Sequence, residues 1–298
     1  MSKDAALEHG VLHRPTGDLH WSRTVESQAH RTPLILVHGG PGMPSDYLEG
    51  LRELASERQV ILYDQIGCGR SPATNAEAVD LRSMSADLLA LIDHLGLNSC
   101  VLLGHSFGGM LIAETYRHSR ASAPNGAGSI AAMIFTSPLI TTDRWVADAQ
   151  ARIRELPIEV QQQITAPRTP EDAAAGEDAF YRRFFCALDP WPEELQRTMD
   201  SMGTEVYEHL WGTNEFTPTG VLVGADSSDV LANITVPTLW ICGTEDEVLP
   251  STLRAFADLC PQSEVSIIVD GTHSVHLEQT ESYLTAIRSF LENLPARQ

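Results

Sequence analysis

Short, continuous apolar runs recur along this chain, and amphipathic patterns separate them. "TPLILVHGG" (32–40), "RQVILYDQ" (58–65), "CVLLG" (100–104), "SIAAMIFTS" (129–137), "PTLWICG" (237–243) and "EVSIIVDG" (264–271) are rich in β-branched residues and end in glycine or polar residues. Each reads as a strand buried on both faces. Between them, "SMSADLLALIDHLG" (83–96) places Leu88, Leu91, Ile92 and Leu95 on one helical face, with Gly96 as a stop signal. "STLRAFADLC" (251–260) and "ESYLTAIRSFLENL" (281–294) repeat that pattern. Fully apolar strands alternating with amphipathic helices require an α/β fold: a mostly parallel central sheet with helices on both faces.

The alternation stops between Pro138 and about Gly220. That stretch holds Ala, Glu, Gln and Arg, prolines as punctuation, and the aromatics Trp145, Phe180, Tyr181, Phe184, Phe185, Trp191, Tyr207 and Trp211. A structureless loop of that length is unfavourable, so the segment reads as a helical cap inserted between two strands, over the end where strands stop. The expected organisation is a core of residues 1–137 and 221–298 carrying a cap of residues 138–220.

Chemistry concentrates where strands end. Gly104-His105-Ser106-Phe107-Gly108 is G-x-S-x-G, set between the run "VLL" and the helical "GMLIAETY". In that context the serine stands on a sharp strand-to-helix turn with its hydroxyl exposed at the top of the sheet. The backbone N–H of Phe107 then points out of a helix N-terminus, where an oxyanion is favoured. The bland reading is a serine that only caps the helix; the matched strand–turn–helix context weighs against it.

A serine needs a base, and the base needs an orienting carboxylate, in the chain order Ser, Asp or Glu, His. Beyond the helix after Ser106 lie His209, His273 and His276. His273 follows a strand end and is the expected base; His276 is expected to face elsewhere, in packing or solvent. A metal held by His273 and His276 lacks a third ligand at suitable spacing. "PTLWICGTEDEVLP" ends in Glu245-Asp246-Glu247, and Asp246 is the expected orienter of His273. Upstream, "LVHGGPG" (36–42) supplies a glycine turn after a strand; Gly40 is the expected second oxyanion donor, with Gly39 as the alternative.

Taken together, "HGGPG", "YDQIGCGRS", "GHSFGGML", "GTEDEVLP" and "DGTHSVHLEQ" resemble the proline iminopeptidase family, serine aminopeptidases of the α/β-hydrolase fold that include the tricorn-interacting aminopeptidases. The resemblance runs from about residue 34 to 294. It implies a triad of Ser106, Asp246 and His273 and oxyanion donors at Gly40 and Phe107. It also implies that two glutamates hold the substrate's α-ammonium: Glu215 in "GTNEFT" and Glu247 beside the triad aspartate. Phe107 departs from the Trp or Tyr that members often carry after the nucleophile, and the cap is less family-like than the core. The implied substrate is a short peptide or amino-acid amide losing its N-terminal residue, with no cofactor. An amidase, esterase or lactonase acting on a small molecule uses the same machinery, and a ligand-binding module could keep the fold without turnover.

Bulk properties narrow the remaining classes. With 20 Lys and Arg against 40 Asp and Glu, the net charge of −20 repels nucleic acid and anionic membranes. Cys68, Cys100, Cys186, Cys242 and Cys260 show no C-x-x-C or zinc spacing, which suits a reducing compartment. No apolar run approaches the ~18 residues of a membrane span, and the first residues lack a signal-peptide pattern. The expectation is a cytoplasmic monomer or small homo-oligomer.

Overall fold

The computed structural model describes residues 6–25, 31–122 and 130–294. One eight-stranded sheet, ordered β1-β2-β4-β3-β5-β6-β7-β8, organises them. The strands are β1 (Leu7–Arg14), β2 (Gly17–Thr24), β3 (Leu34–Val37), β4 (Val60–Tyr63), β5 (Cys100–His105), β6 (Ile130–Thr136), β7 (Thr238–Gly243) and β8 (Ser263–Ile268). From β4 to β8 every neighbouring pair is parallel. The β1–β2 hairpin is antiparallel and joins through β2 to β4. Sequence reading missed this hairpin because its strands alternate polar and apolar residues at an edge, and β1 is largely exposed.

The runs are continuously apolar because both sheet faces are buried. Ile35, Val37, Leu102, Met133, Phe135 and Trp240 point into one core, while Leu34, Leu36, Leu103, Ile134 and Ile241 point into the other. The first core is closed by α1 (Leu81–His94), α2 (Phe107–Ser122) and later α9 (Pro250–Ala257). The second is closed by 3-10 turns over Ser45–Ser56 and by α11 (Thr280–Glu292). Asp80 caps α1 through a reciprocal bond with Ser83.

Between β6 and β7 lie α3 (Thr142–Ile153), α4 (Ile158–Thr165), α5 (Pro170–Phe180), a π turn (Tyr181–Phe185), α6 (Glu193–Asp200), α7 (Thr204–Leu210) and α8 (Ser228–Leu231). Ala149, Ile153, Phe180, Phe184 and Phe216 form a small core of their own. Phe185, Leu195, Val206 and Trp211 instead enter the two sheet cores, so these helices are seated on the sheet rather than tethered above it. The short α10 (Val275–Glu278) precedes α11. All five cysteines are buried and free. No described helix is long and apolar enough to cross a membrane.

Candidate active site

Parallel strands deliver four loops to one end of the sheet: after β3 (Gly39 and Gly40), after β5 (Ser106), after β7 (Asp246 and Glu247) and after β8 (His273). The crevice outside the carboxyl ends of the strands is where such a sheet accommodates ligands. There the helices between β6 and β7 enclose a cavity of about 270 Å³ lined by Gly40, Ser106, Glu215, Glu247 and His273, among others.

Ser106 has φ 56°, a left-handed conformation that a non-glycine residue adopts only where its surroundings enforce it. The enforcement is local. Ser106 N–H donates to Thr136 O at 3.0 Å, and Ser106 O accepts from Gly109 and Leu139 N–H at 2.8 and 2.9 Å. A Cβ at Gly108 would fall 2.3 Å from Val37 O, so only glycine lets α2 approach β3 this closely. Phe107 opens α2, where the first N–H groups have no intrahelical acceptor.

His273 and Asp246 are both buried, and His273 Nδ1 lies 2.9 Å from Asp246 Oδ1. The carboxylate is saturated: Ser137 Oγ donates to Oδ2 at 2.5 Å, Gly243 N–H to Oδ2 at 3.3 Å and Val248 N–H to Oδ1 at 3.2 Å. This fixes the His273 proton on Nδ1 and turns Nε2 toward the cavity. From α3, buried Arg152 clamps the same loop by donating to the carbonyls of Asp246 (2.7 Å) and Thr244 (2.8 Å). Burial opposes an imidazolium at His273, but the carboxylates of Glu247, Asp246 and Glu215 outweigh it and raise its pKa.

Glu247, adjacent to Asp246, is equally buried and far less satisfied. Its Oε1 has no partner among the described residues, and Oε2 is 3.9 Å from His273 Nδ1. Burial is the main cause of its pKa rising to about 8; neighbouring Glu215 and Asp246 add to the rise and His273 opposes it. Glu215, half-buried on the opposite segment, accepts from Tyr207 Oη at 2.6 Å, and its carbonyl accepts from Trp211 Nε1 at 3.1 Å. Its pKa is also raised, chiefly by burial and also by Glu177, against the bond from Tyr207. Among the described residues no Lys or Arg lines the cavity, whereas Glu177, Glu208, Glu215 and Glu247 do. Apolar side chains, including Met43, Leu139, Trp145, Phe185 and Met199, complete the wall.

Gly40, Ser106, Glu215, Glu247 and His273 line one chamber, and Asp246 stands behind His273. Of the two glycines, Gly39 spends its N–H on Tyr47 Oη at 2.8 Å, whereas Gly40, at φ 113°, lines the cavity. His276 is buried and lies 3.1 Å from Tyr47 O through Nε2, so it is a packing residue away from the reacting groups. Ser137, Arg152 and Tyr207 were missed. A lone serine, a helical arginine and a cap tyrosine carry no motif, and only the folded contacts give them a role.

Comparison with known proteins places the fold in a family. A family model described as alpha/beta hydrolase fold matches residues 32–280. A proline iminopeptidase of Heyndrickxia coagulans is 33% identical over 270 residues, covering 88% of this chain and 91% of that one. The chain belongs to the proline iminopeptidase family of α/β hydrolases. Another member, from Lactobacillus helveticus, is 34% identical over 91% of this chain and 93% of its own. Among solved structures, the proline iminopeptidase of Mycobacterium smegmatis superposes with a TM-score of 0.86 at 28% identity, covering 96% of this chain and 98% of that one. VinJ superposes with a TM-score of 0.87 at 27% identity, covering 97% and 99%. Both superpositions extend over nearly the whole chain, including the helices between β6 and β7.

Proposed function

We propose that this protein is a serine aminopeptidase that removes the N-terminal residue from short peptides or amino-acid amides through an acyl-enzyme. His273 Nε2 takes the Ser106 proton as Oγ attacks the carbonyl of the first residue. The N–H groups of Gly40 and Phe107 receive the oxyanion. His273 then returns the proton to the leaving amine, and water resolves the ester by the same route. Residues 138–220 act as the cap on the core of residues 1–137 and 221–298 and keep long chains out.

One observation carries the reading: Glu247, with a buried carboxylate oxygen that has no partner among the described residues, lines the chamber that holds Ser106, and Glu215 lines the same chamber. Two carboxylates crowded away from water, with no Lys or Arg among the described lining residues and the nearby His273 imidazole already held by Asp246, are costly until a positive ligand arrives. An α-ammonium supplies that charge. Anchored there, a substrate places its first carbonyl, and no later one, at Ser106. The apolar wall favours an uncharged first side chain, proline included.

The test is a panel of aminoacyl fluorophores carrying proline, alanine, leucine and phenylalanine, with their N-acetylated forms. Free-amine substrates are expected to be cleaved and acetylated ones refused. Cleavage of neither, alongside hydrolysis of a simple ester or lactone, would replace the aminopeptidase reading with that of a small-molecule esterase, amidase or lactonase. Fluorophosphonate labelling that disappears in Ser106→Ala separates any of these from a non-catalytic binding module.

A further inference from the structure

The motif D-Q-x-G-x-G-x-S (Asp64 to Ser71) and the histidine of "HGGPG" have no part in the mechanism above, yet they enclose the turn that carries Gly40. That turn is pinned one peptide group at a time. In the 38–39 peptide, His38 O accepts from Gln65 Nε2 at 2.7 Å, and Gly39 N–H donates to Tyr47 Oη at 2.8 Å. In the 39–40 peptide, Gly39 O lies 3.1 Å from His38 Nδ1. Gln65 N–H donates to His38 Nε2 at 2.8 Å, so the ring proton sits on Nδ1 and donates to Gly39 O. His38 is fully buried, and burial lowers its pKa to about 4, keeping this neutral tautomer.

A trans peptide points its C=O and N–H in opposite directions. Holding Gly39 O therefore aims Gly40 N–H, which has no partner among the described residues. Tyr47 extends the frame. His105 Nε2 faces the acceptor-only carbonyl of His273 at 3.0 Å, so its ring proton is on Nε2. His105 Nδ1, 2.9 Å from Tyr47 Oη, must then accept from the tyrosine hydroxyl. One chain of bonds runs from Gly39 through Tyr47 and His105 to the backbone of His273. Asp64 holds the segment that carries Tyr47, accepting from Ser45 N–H at 2.9 Å and Ser45 Oγ at 2.8 Å, two residues before it.

We propose that His38, Gln65 and Tyr47 are positioning residues that preorganise Gly40 N–H for the oxyanion, and that Tyr47 with His105 holds this donor in register with His273. The inference rests on the assignment of Gly40, Ser106 and His273 above, and it is independent of whether the substrate carries an ammonium. A donor fixed before the reaction needs no reorganisation as charge develops.

The test uses the full-length protein, a neutral acetyl ester and the best aminoacyl fluorophore from the panel. Tyr47→Phe keeps the ring and removes the hydroxyl; Gln65→Met removes the amide that holds His38 O. Each is expected to lower kcat roughly 10–100-fold on both substrates, with KM within about twofold, since the loss falls on the transition state. The affinity for a neutral boronic acid, which forms a tetrahedral adduct on the serine, is expected to fall in parallel. If both variants keep kcat on the ester within about threefold of the parent, whatever happens to Tm, the proposal is overturned. A rise in KM alone overturns it equally. Should Tyr47→Phe fail to fold, Gln65→Met decides. Ester hydrolysis without aminoacyl cleavage would count against the aminopeptidase reading and leave this test intact.

Discussion

Asp246 and Glu247 are consecutive, buried and acidic, yet they belong to two differently finished halves of one chamber. Asp246 accepts from His273, Ser137, Gly243 and Val248, so its charge is fully met by the protein. Glu247 has an oxygen with no partner among the described residues and is pushed toward protonation. The pair of His273 and Asp246 is held by the protein's own hydrogen bonds, whereas the half around Glu215 and Glu247 keeps Glu247 Oε1 without a partner among the described residues; under the proposed function the ligand completes that half. Catalytic groups profit from rigidity, whereas a recognition site profits from a cost that only the right ligand relieves.

The largest effect is expected from breaking the finished half. Ser106→Ala should reduce turnover of every substrate by about 10⁴-fold or more, with Tm close to the parent's, since only a hydroxyl is removed. Glu247→Gln probes the other half. It should lower kcat/KM for aminoacyl substrates about 100-fold or more, the scale of stripping one partner from a buried charge pair, and spare a neutral acetyl ester. Equal loss on both substrates would erase the distinction between the halves.

The two halves also communicate electrostatically, which gives a pH test. An imidazole acts as a base only when neutral, and Glu247 and Asp246 both raise the pKa of His273 against its burial. The acid limb of kcat/KM for the neutral ester should therefore lie above the usual histidine value of about 6.5. In Glu247→Gln it should move to lower pH; an unmoved limb would mean that the carboxylate does not reach the imidazole.

Smaller effects should come from the supports. Arg152→Met removes two bonds to the Thr244 and Asp246 carbonyls and should cost about 1–3 kcal/mol in stability, measured by denaturant titration, with a fall in kcat as the Asp246 loop loosens. Tyr207→Phe removes the donor to Glu215 and should raise KM for aminoacyl substrates roughly 3–10-fold, leaving the ester unaffected. A matching loss on the ester would place Tyr207 in the finished half.

Legibility followed the same division. The strands buried on both faces, the turn at Ser106, and Asp246 and His273 after their strands could be located because local pattern and mechanism constrain them together. Assigning Glu215 required the family resemblance, since one glutamate in an irregular segment has no periodicity or spacing to mark it. The β1–β2 hairpin escaped because an exposed edge does not need an apolar run. Ser137, Arg152, Tyr47 and Tyr207 escaped because each acts through a contact between segments far apart in the chain.

The amino-acid order alone determined the layered α/β core and the strand-to-helix turn at Ser106, because burial periodicity and backbone sterics are local properties. Only the tertiary structure decided that neighbouring Asp246 and Glu247 have opposite fates, that Gly40 rather than Gly39 faces the chamber, and that His276 turns away from it. Those outcomes depend on which donors converge on each group, and convergence is a property of the assembled fold.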